Sequence, residues 1–382
     1  MTPRILILTA GFGEGHNAAA RALAAAVDRQ HPGSACMADL FEQTRPRLNE
    51  FVRRAYLAAI NRTPRLWIRA YRWMDRPNFM TSGARLLGRE YRLLGEVIER
   101  EQPLAVCCTF PAYAFLLSKL AAEGRLKAPF YNIVTDSISI NSVWWRAGCD
   151  GWFVPNEDSA AVMREAGVDP ARLHVTGFPV TGFFSEHSGD LRPPDLAAGA
   201  APRVLYIVNS GTRNAGETAR LLLAEKDWEI TCTVGRNQPL RESLAAEATG
   251  RSRTATILGW TDQIPRLLMT HHVVVSKAGG ATTQEAIAAR CPMIVNQVVP
   301  GQEEGNYELL RRHGIGTLSE TPEAVVAALR NAFAQRGRVW SEWRAALDPI
   351  ARPDAAREIS AHVFSRGARP AHPAPEPAPA LS

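Results

Sequence analysis

His16 is the side chain in this sequence best placed to move a proton. It closes Thr9-Ala10-Gly11-Phe12-Gly13-Glu14-Gly15-His16-Asn17, a glycine-rich turn that follows the apolar run Ile5-Leu6-Ile7-Leu8 and opens a helix-period segment. Glycines there permit a tight turn and let a ligand approach the backbone, and a helix N-terminus favours negative charge. The same field disfavours an imidazolium, so His16 stays neutral and can accept a proton. A surface or capping histidine fits the pattern too, because an ordinary histidine already titrates near neutrality. The turn is not a dinucleotide fingerprint. Asp39 stands roughly where a ribose-binding acid would, but the third glycine of G-x-G-x-x-G is missing.

A second glycine-rich segment, Ser276-Lys277-Ala278-Gly279-Gly280-Ala281-Thr282-Thr283-Gln284-Glu285, also runs from strand to helix. Gly279 and Gly280 expose backbone N–H groups, and Thr282 and Thr283 add hydroxyls. That set is suited to holding a diphosphate. Thr282-x-x-Glu285 also fits a capping box, which would leave Glu285 less free to bind a ribose. Pro300-Gly301-Gln302-Glu303-Glu304-Gly305-Asn306 follows the next strand and is dense in the carboxylates and amides that sugar hydroxyls need. Glu304 could equally start a helix.

These turns need elements to hold them. Short apolar runs alternate with helix-period segments, which implies parallel sheets covered by helices. Strands are expected at 4–9, 104–109, 130–136, 151–155 and 173–176, and again at 203–209, 229–234, 255–260, 272–276 and 292–296. Helices are expected at 15–30, 112–122, 157–166, 215–225, 239–248, 262–269, 282–290, 304–313, 322–334 and 338–365. The Pro/Gly-rich stretch 185–202 reads as a linker. The domain reading is therefore 1–184, a linker at 185–202, a second α/β half at 203–335, C-terminal helices at 336–366 and a Pro/Ala-rich tail at 367–382. Doubly wound sheets bind ligands beyond the carboxyl ends of their strands, so a cleft between two such halves is the expected site.

Composition excludes other classes. The chain has 382 residues, 46% hydrophobic and 21% charged, which suits a folded two- or three-domain protein and excludes a fibrous or disordered one. No apolar run approaches the roughly 18–20 residues that span a bilayer, and too little precedes the first strand for a secretory signal, so the reading is cytoplasmic. None of the six cysteines has C-x-x-C spacing, which argues against structural zinc and a disulfide framework.

The sequence resembles the nucleotide-sugar-dependent GT-B glycosyltransferases of the monogalactosyldiacylglycerol synthase and processive diacylglycerol glucosyltransferase type, relatives of the peptidoglycan lipid-intermediate transferase. Four stretches within about residues 4–335 carry the likeness: Ile5–Ala10 into Gly15-His16-Asn17-Ala18-Ala19; Val134-Thr135-Asp136; Trp152–Pro155 through Val175–Val180; and Gly259-Trp260 through Gly279–Ala286 to Pro300–Asn306. The resemblance implies two Rossmann-like doubly wound domains facing a central cleft. It implies a UDP-sugar donor held by the C-terminal domain, a lipid acceptor such as diacylglycerol held by the N-terminal one, inversion at the anomeric carbon, and no metal cofactor. It assigns the ribose to Glu285, the diphosphate to Gly280, Thr282 and Thr283, the sugar to Gln302 and Glu303, and the neighbourhood of the uracil to Ile264, with Gly15, Gly279 and Asn306 also on the donor side. His16 and Asp136 become the base candidates, with Glu14 a third.

The departures are specific. Glu14 interrupts the family's glycine run, Asn17 replaces a basic or bulky polar residue, segment 137–145 lacks a histidine before its tryptophan, and Val208–Thr212 replaces a glycine-richer loop. The donor half matches better than the acceptor half. A soluble or polyprenyl-linked acceptor, a UDP-sugar 2-epimerase and a UDP-binding protein without turnover are the rival readings.

Residues 45–76 carry nine arginines against two acidic residues. Arg65, Trp67, Arg69, Tyr71 and Trp73 form a basic, aromatic stretch suited to an anionic membrane surface, which would make the enzyme peripherally associated. An amphipathic helix pair with a solvated arginine face is the alternative. Nucleic acid is not an expected partner, because the basic cluster is local and no nucleic-acid motif accompanies it.

Overall fold

The computed structural model describes residues 3–11, 13–47, 50, 87–208, 214–249, 254–301 and 303–367. The chain divides into two compact units. One comprises Met1–Gly182, Pro300–Gly305 and Arg352–Ser382, the other Phe183–Val299 and Asn306–Ala351.

The first unit is built from β1 (Ile5–Leu8), α1 (Glu14–Gln30), β2 (Ala35–Ala38), α2 (Leu40–Thr44), α3 (Gly88–Glu101), β3 (Ala105–Cys108), α4 (Ala112–Ala122), β4 (Phe130–Ile133), α5 (Val143–Arg146), β5 (Gly151–Val154), α6 (Glu157–Glu165) and β6 (Leu173–Val175). All strands are parallel, in the order β2-β1-β3-β4-β5-β6. Alternate residues serve opposite faces, as the pleat requires. Ile5, Ile7, Cys107, Ile133 and Phe153 pack with α1 through Leu23 and Val27. Leu6, Leu8, Val106 and Cys108 pack on the other face with Leu94 of α3 and Leu117 of α4. Strands buried on both faces read as unbroken apolar runs, which is why they are visible in the sequence.

The second unit is built from α7 (Phe183–Glu186), β7 (Arg203–Ile207), α8 (Ala215–Ala224), β8 (Glu229–Thr233), α9 (Gln238–Ala248), β9 (Ala255–Leu258), α10 (Ile264–Thr270), β10 (Val273–Lys277), α11 (Gly280–Ala288), β11 (Met293–Gln297), α12 (Glu304–Arg312), β12 (Thr317–Leu318) and α13 (Pro322–Leu347). Its six parallel strands run β12-β11-β10-β7-β8-β9. The last helix, α14 (Ala355–Gly367), returns to the first unit, where Ile359 and Val363 join Ile5, Ile7 and Phe153 in one core.

Three expectations change. The stretch 185–202 is a packed part of the second unit, not a loose linker. Leu196 is buried there, and His272 Nε2–H donates to the Pro194 carbonyl at 2.8 Å. Residues 336–366 do not form one C-terminal group, since those up to 351 belong to the second unit and the rest to the first. Finally, 338–365 is not one helix. α13 itself leaves helical geometry at Ala334–Gly337, where the break between 322–334 and 338 is expected; the chain then leaves it at Leu347 and restarts at Ala355, with Pro353 between them disfavouring helical geometry in the residue before it. β2, β12, α2, α3, α5 and α7 lie outside the expected elements.

Each sheet has one topological switch point. In the first unit the chain leaves β1 for β2 on one side and takes up β3 on the other. In the second it leaves β7 for β8 and later takes up β10 on β7's other side. Loops diverge at such points and leave a crevice at the strands' carboxyl ends. Thr9–Gly11 and Thr109 lie at the first, and Ala278–Gly279 lies at the second.

The docking of α14 yields a test. Ile359→Ala should cost the first unit about 2–5 kcal/mol, as buried isoleucine truncations do, read as an earlier urea transition in probes placed in residues 3–180.

Candidate active site

His16 occupies the third position of α1, at the first switch point. Its Nδ1 lies 2.7 Å from the Thr109 carbonyl and 3.0 Å from Thr135 Oγ1. A carbonyl only accepts, so Nδ1 carries the proton and the lone pair sits on Nε2. The ring packs edge-on to Phe110, with centroids 5.3 Å apart, and lies 6.2 Å from the Trp144 ring. Burial pushes its pKa down to about 4, with the Thr109 carbonyl pulling the other way. The imidazole is therefore neutral at pH 7, as expected, but desolvation rather than the helix end is the leading cause.

Asp136 follows β4, near the same crevice. Its Oδ2 accepts from Trp144 Nε1 at 2.7 Å. Burial raises its pKa to about 6, and the indole N–H opposes that rise. Asp136 does not orient the imidazole through Nδ1, because Thr109 and Thr135 take that nitrogen. Both base candidates thus border the Trp144 ring.

Other candidates are placed differently. Glu14 is exposed and pairs with Arg21 on the solvent side of α1, away from the enclosed imidazole. Asp39 is committed to the fold: Oδ2 accepts from the Gly11 N–H and Oδ1 caps α2 at Glu42 N–H, both near 2.8–2.9 Å. Asn17 accepts from the Thr9 hydroxyl at 2.8 Å, which braces the turn. Gly15 is the second residue of α1.

At the second switch point, α11 begins at Gly280 with Gly279 as an extended N-cap and no side-chain cap. The capping box is therefore not formed, because Thr282 lies inside the helix. Uncapped first-turn N–H groups suit an anion. Thr282 and Glu285 are half-buried on this helix. Thr283 is not a diphosphate donor: it is fully buried, with its hydroxyl against Met293 Sδ at 3.9 Å. Asn306 donates from Nδ2 to the Ala278 carbonyl at 3.0 Å, bracing the glycine loop. Its buried Oδ1 has no hydrogen-bond partner among the described residues. Ile264 opens α10 and is half-buried, and Glu303 is buried. Gln302, Arg65, Trp67, Arg69, Tyr71 and Trp73 lie outside the described residues, as do 209–212 of the altered loop.

Sequence reasoning missed Thr109, Thr135 and Trp144 as partners. A backbone carbonyl carries no residue-type signal, so Thr109 could not be found. Trp144 stands in a Trp-Trp pair that reads as core.

Two parallel Rossmann-like sheets with these two crevices are the architecture of the GT-B glycosyltransferases. Residues 16–180 match the family model of the monogalactosyldiacylglycerol (MGDG) synthases, the family the motifs resemble. That match falls on the half whose motifs depart most. The chain is 24% identical to the processive diacylglycerol beta-glucosyltransferase of Bacillus cytotoxicus, over 100% of this chain and 98% of the relative. The namesake of Bacillus thuringiensis is also 24% identical, over 94% and 92%. Among solved structures, MurG of Acinetobacter baumannii superimposes with a TM-score of 0.60 at 13% identity, covering 95% of this chain and 99% of that one. UGT2 of Phytolacca americana, complexed with UDP-2fluoro-glucose and pterostilbene, gives 0.62 at 11% identity, covering 96% and 100%. UDP-GlcNAc 2-epimerase of Neisseria meningitidis, bound to UDP-GlcNAc, gives 0.60 at 13%, covering 95% and 100%. The structural likenesses show the shared fold. The sequence likenesses bear out the family resemblance and the enzyme class, a hexosyltransferase.

Asp136 allows a stability test. Its folded pKa lies above the usual 3.8, so the native state binds more protons between those values. Its contribution to stability therefore falls as pH rises from about 4 to about 6. Asp136→Asn should stabilise the protein at pH 8 by about 1–3 kcal/mol and not at pH 4, measured by urea unfolding at both.

Proposed function

We propose that this chain moves a hexose from a UDP-sugar to a lipid acceptor such as diacylglycerol, at a membrane surface and with inversion at the anomeric carbon. The observation that carries this reading is the His16 imidazole, held neutral by burial with its Nδ1 proton committed to Thr109 and its Nε2 lone pair without a hydrogen-bond partner among the described residues. Such a group is unprotonated at pH 7 and can accept the proton of an acceptor hydroxyl. The full-length likeness to diacylglycerol glucosyltransferases supports the acceptor class.

In this mechanism the acceptor O–H gives its proton to Nε2 as its oxygen bonds the anomeric carbon. The bond from that carbon to the diphosphate oxygen breaks, and UDP leaves with the electron pair. Ionised Asp136 favours the imidazolium as it forms and is the second base candidate. The uncapped N-terminus of α11 takes the charge growing on the diphosphate, a fixed electrostatic role that in other enzymes falls to a metal ion. Thr282 adds a hydroxyl, Glu285 binds the ribose, and Glu303 and Gln302 face the sugar. No cofactor enters this scheme. Cytoplasmic placement with peripheral membrane contact follows from the acceptor and from the arginine- and tryptophan-rich stretch around Arg65–Trp73. Among the described residues no helix is long and apolar enough to cross a membrane.

One second reading has a specific observation behind it. The epimerase superposition fits a chain that turns over UDP-sugar with no acceptor at all.

The deciding assay is UDP release across a panel of UDP-sugars, with and without anionic vesicles containing diacylglycerol. Release that needs both vesicles and one particular sugar is the expected result. Loss of sugar configuration at C2 without vesicles would instead establish the epimerase, and release to a soluble or polyprenyl-linked acceptor would replace diacylglycerol. His16→Ala should lower kcat about 10²–10⁴-fold while UDP binding, followed by calorimetry, stays within about threefold of wild type, since the base does not hold the nucleotide.

A further inference from the structure

Trp144 stands between the two groups that could receive the acceptor's proton. Its ring is 1% exposed and lies 6.2 Å from the His16 ring, while its Nε1–H donates to Asp136 Oδ2 at 2.7 Å. The residue is pinned from behind. Its carbonyl accepts from the Asn132 amide at 3.1 Å and from the Trp152 indole at 2.8 Å.

The chain must double back to bring residue 144 onto residue 136. It does so through Ser137–Ile140. Ser139 N–H reaches the Ser137 carbonyl at 2.6 Å, and Ile140 N–H reaches the Ile138 carbonyl at 2.9 Å. Ile138 adopts φ +53°, a conformation a β-branched residue rarely takes. Its N–H donates to Ser159 Oγ at 3.2 Å. Strain of this kind persists where the surroundings over-determine it, and it clusters at working sites.

We propose that Trp144 is a positioning residue for proton transfer: its indole N–H aims one carboxylate oxygen of Asp136, leaves Oδ1 for the reacting groups, and thereby sets the pH below which transfer fails. This inference rests on the transferase reading above and adds a residue to it. An indole N–H can only donate, so the bond favours the ionised carboxylate against the burial that disfavours it. Among the described residues the other titratable group placed beside this ring is His16, from α1. Asn132 and Trp152, which donate to the Trp144 carbonyl, do not titrate near neutrality. His16 is already neutral well below pH 6, so the acid limb of the reaction belongs to Asp136.

Two measurements test this, and the first does not depend on activity. In ¹⁵N-tryptophan-labelled protein, one indole resonance should titrate with a midpoint near 6 and become pH-independent in Asp136→Asn. The second is the pH profile of kcat/KM. Wild type should lose activity below a midpoint matching the indole's. Trp144→Phe keeps the aromatic wall and removes only the donor, so its acid limb should move up by about one pH unit. An indole set that does not respond to Asp136→Asn overturns the proposal. So does a Trp144→Phe limb that stays in place. Absence of transfer in wild type would defeat the transferase reading, and with it the role in proton transfer, while the indole titration would still report the Trp144–Asp136 bond separately.

Discussion

The hydrogen bond from His16 Nδ1 to the Thr109 carbonyl spans the point where the first sheet reverses its winding. Much of the site depends on it. It ties the start of α1 to the end of β3, and so fixes the width of the crevice between them. It also chooses the tautomer. With the proton committed to a carbonyl, the lone pair can only be on Nε2. Burial holds the ring neutral, so the bond and the low pKa are two sides of one arrangement. Only the order β2-β1-β3 brings that carbonyl to that histidine, which is how topology becomes chemistry here.

The second sheet shares a switch point with the first, but neither its strand order nor its chemistry. Its switch point also faces a glycine turn and a helix start, but Gly279 caps the helix without a side chain. The first crevice thus offers a proton acceptor and the second offers backbone donors with a positive end. The difference lies in a few residues. Thr282 and Thr283 are neighbours in sequence, yet helical rotation sends Thr283 into the core against Met293 and leaves Thr282 half-buried. Adjacent residues on a helix point about 100° apart, so one can enter the core while its neighbour stays at the surface.

The central strands were legible because they are buried on both faces and read as apolar runs. Ile5–Leu8 and Val273–Ser276 are examples. β2, by contrast, is Ala-Cys-Met-Ala, a half-exposed edge with no such signature. The motif residues were legible as types, and His16 and Asp136 do border one aromatic ring. What could not be read was the medium between them. A carbonyl acceptor has no residue type, and Trp144 looks like any core tryptophan until its N–H is seen to meet a carboxylate. The capping box failed for a related reason. The pattern names two residues but not where the helix begins, and the helix begins three positions earlier than the pattern needs. The return of α14 to the first unit is a long-range packing event that local pattern does not encode.

A shared fold says little about which reaction these crevices serve, since epimerases and transferases superpose on this chain equally well. The local departures from good folding practice say more. Between residues 136 and 144 the chain desolvates a carboxylate that has one protein donor on it among the described residues, and forces an isoleucine into left-handed geometry. Either feature alone would lower stability and could be removed by one substitution. Both converge on the wall beside His16, and the same segment departs from the family's pattern by lacking its histidine. A sequence that keeps costly features together at one crevice, while its sheets obey the ordinary rules, locates its function there. On the proposed transferase reading, that argument assigns the proton chemistry to the first unit and makes 137–145 the segment in which to seek what distinguishes this chain's acceptor.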